Sequence, residues 1–204
     1  LPTLRERLHS NRIVIIQAPP GAGKSTILPI ALLNEDWLEG QKIIMLEPRR
    51  LAAKSVAQRM ADLQKQHIGE SIGYRVRFDT QVGPQTKLEV VTEGILTRMI
   101  QSDNALEGVG LVIFDEFHER SLQADLALAL CLQVQNVLRP DLRILIMSAT
   151  LDAEGLKKVL GNEVPVLTSE GKQFPIRTQY LAQKEEEWLN KRVVSAIRKA
   201  INEE

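Results

Sequence analysis

Short, nearly unbroken apolar runs alternate along the chain with longer stretches of helical period. The runs are Arg12–Gln17 (RIVIIQ), Lys42–Glu47 (KIIMLE), Lys87–Val91, Gly110–Asp115 (GLVIFD) and Arg143–Ser148 (RILIMS). Strands that are apolar throughout, instead of alternating, are buried on both faces, as in parallel sheets. Between them the spacing predicts helices over Gly23–Leu33, Arg50–Gln66, Gly94–Gln101, Ser121–Val137 and Asp152–Leu160. Pro29 puts a kink or a cost into the first of these. The second is expected to bury Leu51, Val56, Met60 and Leu63 on one side.

Alternating strands and helices build βαβ units. The expected fold is therefore α/β, one doubly wound domain with a mostly parallel sheet and helices on both faces. After Gly161 the pattern changes. Val164–Leu167 and Ile176–Leu181 read as short strands, and Lys184–Glu204 as an amphipathic helix. The expected division is residues 1–183 as the main domain, with 184–204 leading towards a neighbouring one. The chain begins Leu1-Pro2 without a methionine, which reads as a piece of a longer protein.

Composition narrows the function classes. Hydrophobic residues are 44% and charged residues 25%, as in ordinary globular chains. Lys and Arg number 26 against 26 Asp and Glu. Bulk charge therefore indicates no nucleic-acid partner, and a local basic face would have to supply one. The single cysteine, Cys131, excludes an internal disulfide and a multi-cysteine metal site, and fits a reducing, cytoplasmic setting. Its apolar helical surroundings read as core. No apolar run approaches the ~20 residues of a membrane span, and no basic-plus-apolar leader opens the chain.

Two segments carry the candidate chemistry. The first, Ala18-Pro-Pro-Gly21-Ala22-Gly23-Lys24-Ser25-Thr26, lies between the first strand and the first helix. Glycines at such a turn let backbone N–H groups point at an anion, and the following helix adds its positive end. Lys24 would reach the β- and γ-phosphates, and Ser25 would offer its hydroxyl to Mg²⁺. Gly21, Ala22, Gly23, Lys24, Ser25 and Thr26 are thus the candidate nucleotide contacts. Ala18 stands where the strict form of the loop has a glycine. The plainer reading is a glycine-rich turn with an exposed lysine.

The second is Leu111-Val-Ile-Phe-Asp115-Glu116-Phe117-His118-Glu119-Arg120, an apolar strand ending in two carboxylates. Strand ends in open α/β sheets face the ligand crevice. Asp115 would hold Mg²⁺, partly through water, with Glu116 beside it. Glu116 would orient or deprotonate the attacking water. The plainer reading is an acidic cap on the next helix. His118 reads either as a structural hydrogen-bonding residue or as a relay.

Taken together these segments resemble the first RecA-like domain of a DEAH-box helicase of superfamily 2, a P-loop NTPase fold. The phosphate loop matches motif I and Asp115-Glu-Phe-His118 matches motif II. Glu47-Pro-Arg-Arg-Leu-Ala-Ala53 resembles motif Ia, Thr92-Glu-Gly94 motif Ib and Ser148-Ala-Thr150 motif III. Gly73-Tyr-Arg-Val-Arg77 and Ser169-Glu-Gly-Lys-Gln-Phe-Pro175 also look like this family. Phe117, in place of the family's alanine, with Glu119-Arg-Ser-Leu-Gln-Ala-Asp125 after it, is most similar to the bacterial HrpB branch.

The resemblance implies ATP with Mg²⁺ as cofactors and movement 3′-to-5′ on single-stranded RNA. It implies that Ser148 and Thr150 couple nucleotide state to domain closure, although Thr150 also suits a helix cap. Arg49, Arg50 and Thr92 would touch the RNA backbone, and Arg59 would stack on a base; the plainer readings are a solvated surface pair for Arg49 and Arg50 and an ordinary exposed helix arginine for Arg59. Arg75 and Arg77 project to one face of a short strand and could add basic surface, with solvated side chains as the default. The family's second RecA-like domain carries the remaining motifs, including an arginine finger, and no such motif follows Thr150. Alone, the chain should bind nucleotide weakly, turn it over poorly and unwind nothing. Two other readings stay open on the residues: a nucleotide-gated RNA- or partner-binding module, and a RecA-like ATPase acting on DNA. The main reading is the ATP-binding motor domain of an RNA helicase.

Overall fold

The computed structural model describes residues 1–19, 21, 23–149, 153–161, 163–170, 178, 180 and 188–202. In chain order the elements are α1 (Pro2–Ser10), β1 (Ile13–Gln17), α2 (Ile27–Ala31), β2 (Lys42–Leu46), α3 (Arg50–Leu63), β3 (Ile72–Val76), β4 (Asp79–Gln81), β5 (Leu88–Val91), α4 (Glu93–Ser102), β6 (Val109–Phe114), α5 (Leu122–Val137), β7 (Arg143–Ser148), α6 (Ala153–Leu160), β8 (Val166–Thr168) and α7 (Leu189–Asn202). Two compact units result, Leu1–Lys172 and Gln173–Glu204.

In the first unit the strands form one sheet in the order β4-β3-β5-β2-β6-β7-β1-β8. Every pairing is parallel except β3 with β4. Successive side chains of a strand point to opposite faces. Val14 and Ile16 therefore join one core and Ile15 the other. The first core is covered by α1, through Leu4 and Leu8, and by α3, through Ala53, Ala57, Met60 and Ala61. The second is covered by α4, α5 and α6, through Leu96, Ile100, Ala127, Cys131 and Leu156. Helices on both faces of a mostly parallel sheet are as the sequence implies.

Several boundaries and faces differ. The helix after the phosphate loop covers only Ile27–Ala31, not Gly23–Leu33. Pro29 has no N–H and crowds the carbonyl four residues back, so it fits only within a helix's first turn. In α3 the buried side is alanine-rich, while Leu51 is 80% exposed and Leu63 also lies outside. Small side chains let α3 sit close to the sheet, and the larger apolar residues fall on its flanks. The last strand of the sheet is Val166–Thr168, not Val164–Leu167. The expected strand over Ile176–Leu181 lies almost wholly outside the described residues. So do Thr150, Ala22, the Gly171–Pro175 part of the family resemblance, and the start and the last two residues of the expected C-terminal helix. In the second unit α7 carries Leu189, Val193, Val194, Ile197 and Ile201, all of them exposed. Among the described residues no helix is long and apolar enough to cross a membrane.

Candidate functional site

Parallel pairing places the C-terminal ends of β1, β2, β3, β5, β6 and β7 along one edge of the sheet. The two chemistry-bearing segments leave it from β1 and β6, with β7 between those strands. That is how residues far apart in sequence meet.

Gly21 and Gly23 have φ of 80° and 76°, a region that a side chain disfavours. Both lie in the segment that follows β1. Lys24 follows, only 4% exposed, and its Nζ donates to Glu116 Oε1 at 3.0 Å across 92 positions of sequence. Glu116 itself sits in the left-handed region, φ 48°, where β6 breaks into a short 3₁₀ turn, Phe117–Glu119. A non-glycine residue held there is a strained element of the kind that gathers at functional sites.

Asp115 is 1% exposed. Its Oδ1 accepts the Glu116 backbone N–H at 2.9 Å. Its Oδ2 is buried and, among the described residues, accepts no hydrogen bond. Burial pushes this carboxyl above the usual carboxylate range, against the pull of the nearby Ser25 hydroxyl and the Glu116 N–H. An orphaned buried carboxylate oxygen next to a serine hydroxyl is the oxygen-donor chemistry that a hard divalent cation takes. Ser25 and Asp115 therefore fit Mg²⁺, with Glu116 adjacent.

Phe117 turns away from this chemistry. It is buried, edge-on to Phe114 at 5.9 Å between centroids, with the Arg120 guanidinium over its ring. The larger residue in the family's alanine position thus fills core and leaves the carboxylates untouched. His118 Nδ1 lies 3.3 Å from Glu116 Oε2 and accepts the Ala149 backbone N–H at 3.5 Å. Ser148, buried at the end of β7, is aligned with Gln17 of β1, and its carbonyl accepts the Ala18 N–H.

The other half of the same edge holds the residues expected to touch nucleic acid. Arg49 and Arg50 stand at the start of α3. Arg49 pairs with Glu119 at 2.5 Å, and Arg50 donates to the Arg77 carbonyl at 2.8 Å. Thr92 occupies the N-cap of α4, yet its hydroxyl caps no N–H of the helix. Arg59 is exposed two turns further along α3, apart from the other three. Arg75 is not free basic surface: with Lys42 it neutralises the buried Glu89, at 2.6 and 2.9 Å. Those two cations hold the Glu89 carboxyl below its usual range despite its burial.

One residue inside the motif Ia match, to which the sequence gives no separate role, belongs to this site. Glu47, buried at the end of β2, has its carboxyl pushed up to about 7 by burial and by Asp115. Only the adjacency of β2 and β6 reveals it, and no local pattern in the sequence does.

The family model for DEAD/DEAH box helicases matches residues 3–159. The chain is 60% identical over 181 residues to the ATP-dependent RNA helicase HrpB of Escherichia coli, covering 89% of this chain and 22% of that one. It is 36% identical over 176 residues to the probable ATP-dependent RNA helicase DHR2 of Saccharomyces cerevisiae, covering 85% of this chain and 24% of that one. The chain thus spans about a quarter of the length of these relatives. A crystal structure of the Escherichia coli DEAH/RHA helicase HrpB superposes with a TM-score of 0.86 at 54% identity, over all of this chain and 26% of that one.

Proposed function

Because this chain belongs to the DEAD/DEAH box helicase family, we propose that it is the ATP-binding part of an RNA helicase motor. One observation carries this reading: Lys24, Glu116 and the orphaned Asp115 oxygen converge at one edge of the sheet. Backbone N–H groups of Gly21–Thr26 receive the phosphates of ATP. A polyphosphate outcompetes one carboxylate for Lys24, so its binding releases Glu116. The freed carboxylate then accepts the proton of the attacking water. Ser25 and Asp115 would hold Mg²⁺, Asp115 partly through water, with Glu116 beside them. When bound, Mg²⁺ neutralises phosphate charge in the transition state.

His118 Nδ1 can accept the Ala149 N–H only when bare and can donate to Glu116 only when protonated. It is therefore suited to relay between the acidic turn and the Ser148–Thr150 segment that couples nucleotide to closure. Arg49, Arg50, Arg59 and Thr92 hold single-stranded RNA. Helix α7 leads towards a second RecA-like domain that supplies an arginine finger, worth roughly 10³ or more in rate. A nucleotide-gated binding module would need Lys24 and Asp115 but not a base. Glu116, held 3.0 Å from Lys24, favours the motor.

The test is titration of a fluorescent ADP, with Mg²⁺, into this chain and into Lys24→Ala. We expect measurable binding that the substitution weakens by about tenfold or more, as for loss of a charge-assisted contact. Equal affinity of the two chains overturns the assignment.

A further inference from the structure

A recess of about 480 Å³ opens at the N-terminal end of β1, walled by α5, α6 and the turn before β8. That volume suits a small molecule. The five residues of β1, roughly 16 Å of strand, separate it from the phosphate loop. Leu132, Leu160 and Val164 give it an apolar side. Two opposite charges, Arg12 and Glu163, stand in the same lining. Both are exposed. Among the described residues neither forms an ion pair, with the other or with a third group.

The lining also holds a buried polar group that the fold leaves half used. Gln135, on α5, is 1% exposed. Its Nε2 donates to the Arg12 carbonyl at 3.2 Å and to the Leu142 carbonyl at 2.7 Å. Both amide hydrogens are thereby spent, which fixes the orientation of the amide. Its Oε1 accepts no hydrogen bond among the described residues. A buried acceptor without a partner weakens the empty protein and gains on meeting a donor. The backbone that carries the two charges is pinned. The Ile144 N–H donates to the Arg12 carbonyl at 2.8 Å, and the Val164 N–H closes the turn of Glu163 on the Gly161 carbonyl at 3.3 Å. The frame of the recess thus stands ready before a ligand arrives.

We infer that this recess binds a small zwitterion, an α-amino acid with an apolar side chain. The ligand's carboxylate meets the Arg12 guanidinium, a charge-assisted contact. Its ammonium meets Glu163 and donates to Gln135 Oε1. Its side chain lies against Leu132, Leu160 and Val164. Charge balance selects this class of ligand, because the one cation and the one anion of the lining cancel. A phosphate or a nucleotide would set its charge against Glu163, and a simple cation would set its own against Arg12. The site shares no residue with the nucleotide and RNA contacts and stands whether or not the helicase reading does.

The experiment titrates leucine, methionine and phenylalanine into this chain, following the melting temperature and the amide NMR spectrum. At least one of them should raise the melting temperature with concentration, as a ligand of the native state does. It should also shift the signals of residues 11–13, 135–136 and 161–165. For leucine, isocaproate and isopentylamine are the controls, since each keeps the skeleton and only one of the two charges. Both should bind roughly tenfold more weakly or worse. Arg12→Gln and Glu163→Gln change exposed side chains, so each should melt like the parent without ligand and lose about tenfold in amino-acid affinity. Lys24→Ala should bind the amino acid as the parent does. Failure of all three amino acids to bind overturns the inference. So does equal binding of the singly charged controls, which would leave only an apolar recess, or unchanged affinity in the Arg12 and Glu163 variants. Amino-acid binding that disappears in Lys24→Ala would move the ligand to the phosphate loop and overturn it as well.

Discussion

Glu47 shows how a single residue can work against the fold that contains it. Its carboxyl is buried among Asp115, Glu116 and Glu119, while the Arg49 N–H favours its charge. Its folded pKa of about 7 lies above the ordinary 4.5, so the native state holds the proton more tightly than the unfolded chain. Stability from this group is therefore greatest at or below the ordinary value and falls as pH rises towards 7. Glu47→Gln keeps the shape and removes the charge. We expect it to raise the melting temperature at pH 8 by several degrees, reflecting about 1–3 kcal/mol, and to change it little near pH 5. An equal gain at both pH values would assign the effect to something other than ionisation. Lys24, Asp115 and Glu116 could be singled out from sequence because a glycine-rich turn and an apolar strand announce them. Glu47 could not, because its environment comes from a neighbouring strand nearly seventy positions away.

The elements divide the same way. The five central strands were legible because burial on both faces forces apolar runs. Helix α1 was not, since it contacts the core only through Leu4 and Leu8. The β3–β4 hairpin was half legible. Tyr74 and its neighbours suggest a strand, but Asp79–Gln81 is an edge strand of polar residues with no signature of its own. What fixes this hairpin is close approach: a Cβ on Gly73 would meet the Gln81 carbonyl oxygen, and Val82 crowds the same side. Gly73→Ala should therefore destabilise the domain by about 1–3 kcal/mol. Because backbone has to move, it should also loosen the turn between these two strands. Hydrogen exchange of residues 72–82 checks this; exchange and melting unchanged from the parent would show that the sheet edge yields freely.

For the molecule as a whole, one sheet edge carries the two halves proposed to bind ligands. They abut where β2 lies next to β6. The Arg49–Glu119 pair crosses that boundary, joining a proposed RNA contact to the turn that begins at Glu116. A backbone phosphate that draws Arg49 away releases Glu119. A nucleotide that draws Lys24 away releases Glu116. Both ligands thus act on residues 115–120, and linkage then requires reciprocity: the factor by which ADP alters RNA affinity equals the factor by which RNA alters ADP affinity. We expect Arg49→Ala to bring both factors close to one, beyond simply weakening RNA binding. Factors that persist undiminished in that variant would place the coupling elsewhere. On this view the pair at 2.5 Å is the cross-term of a two-ligand binding polynomial, by which occupancy at one end of the edge becomes chemical potential at the other.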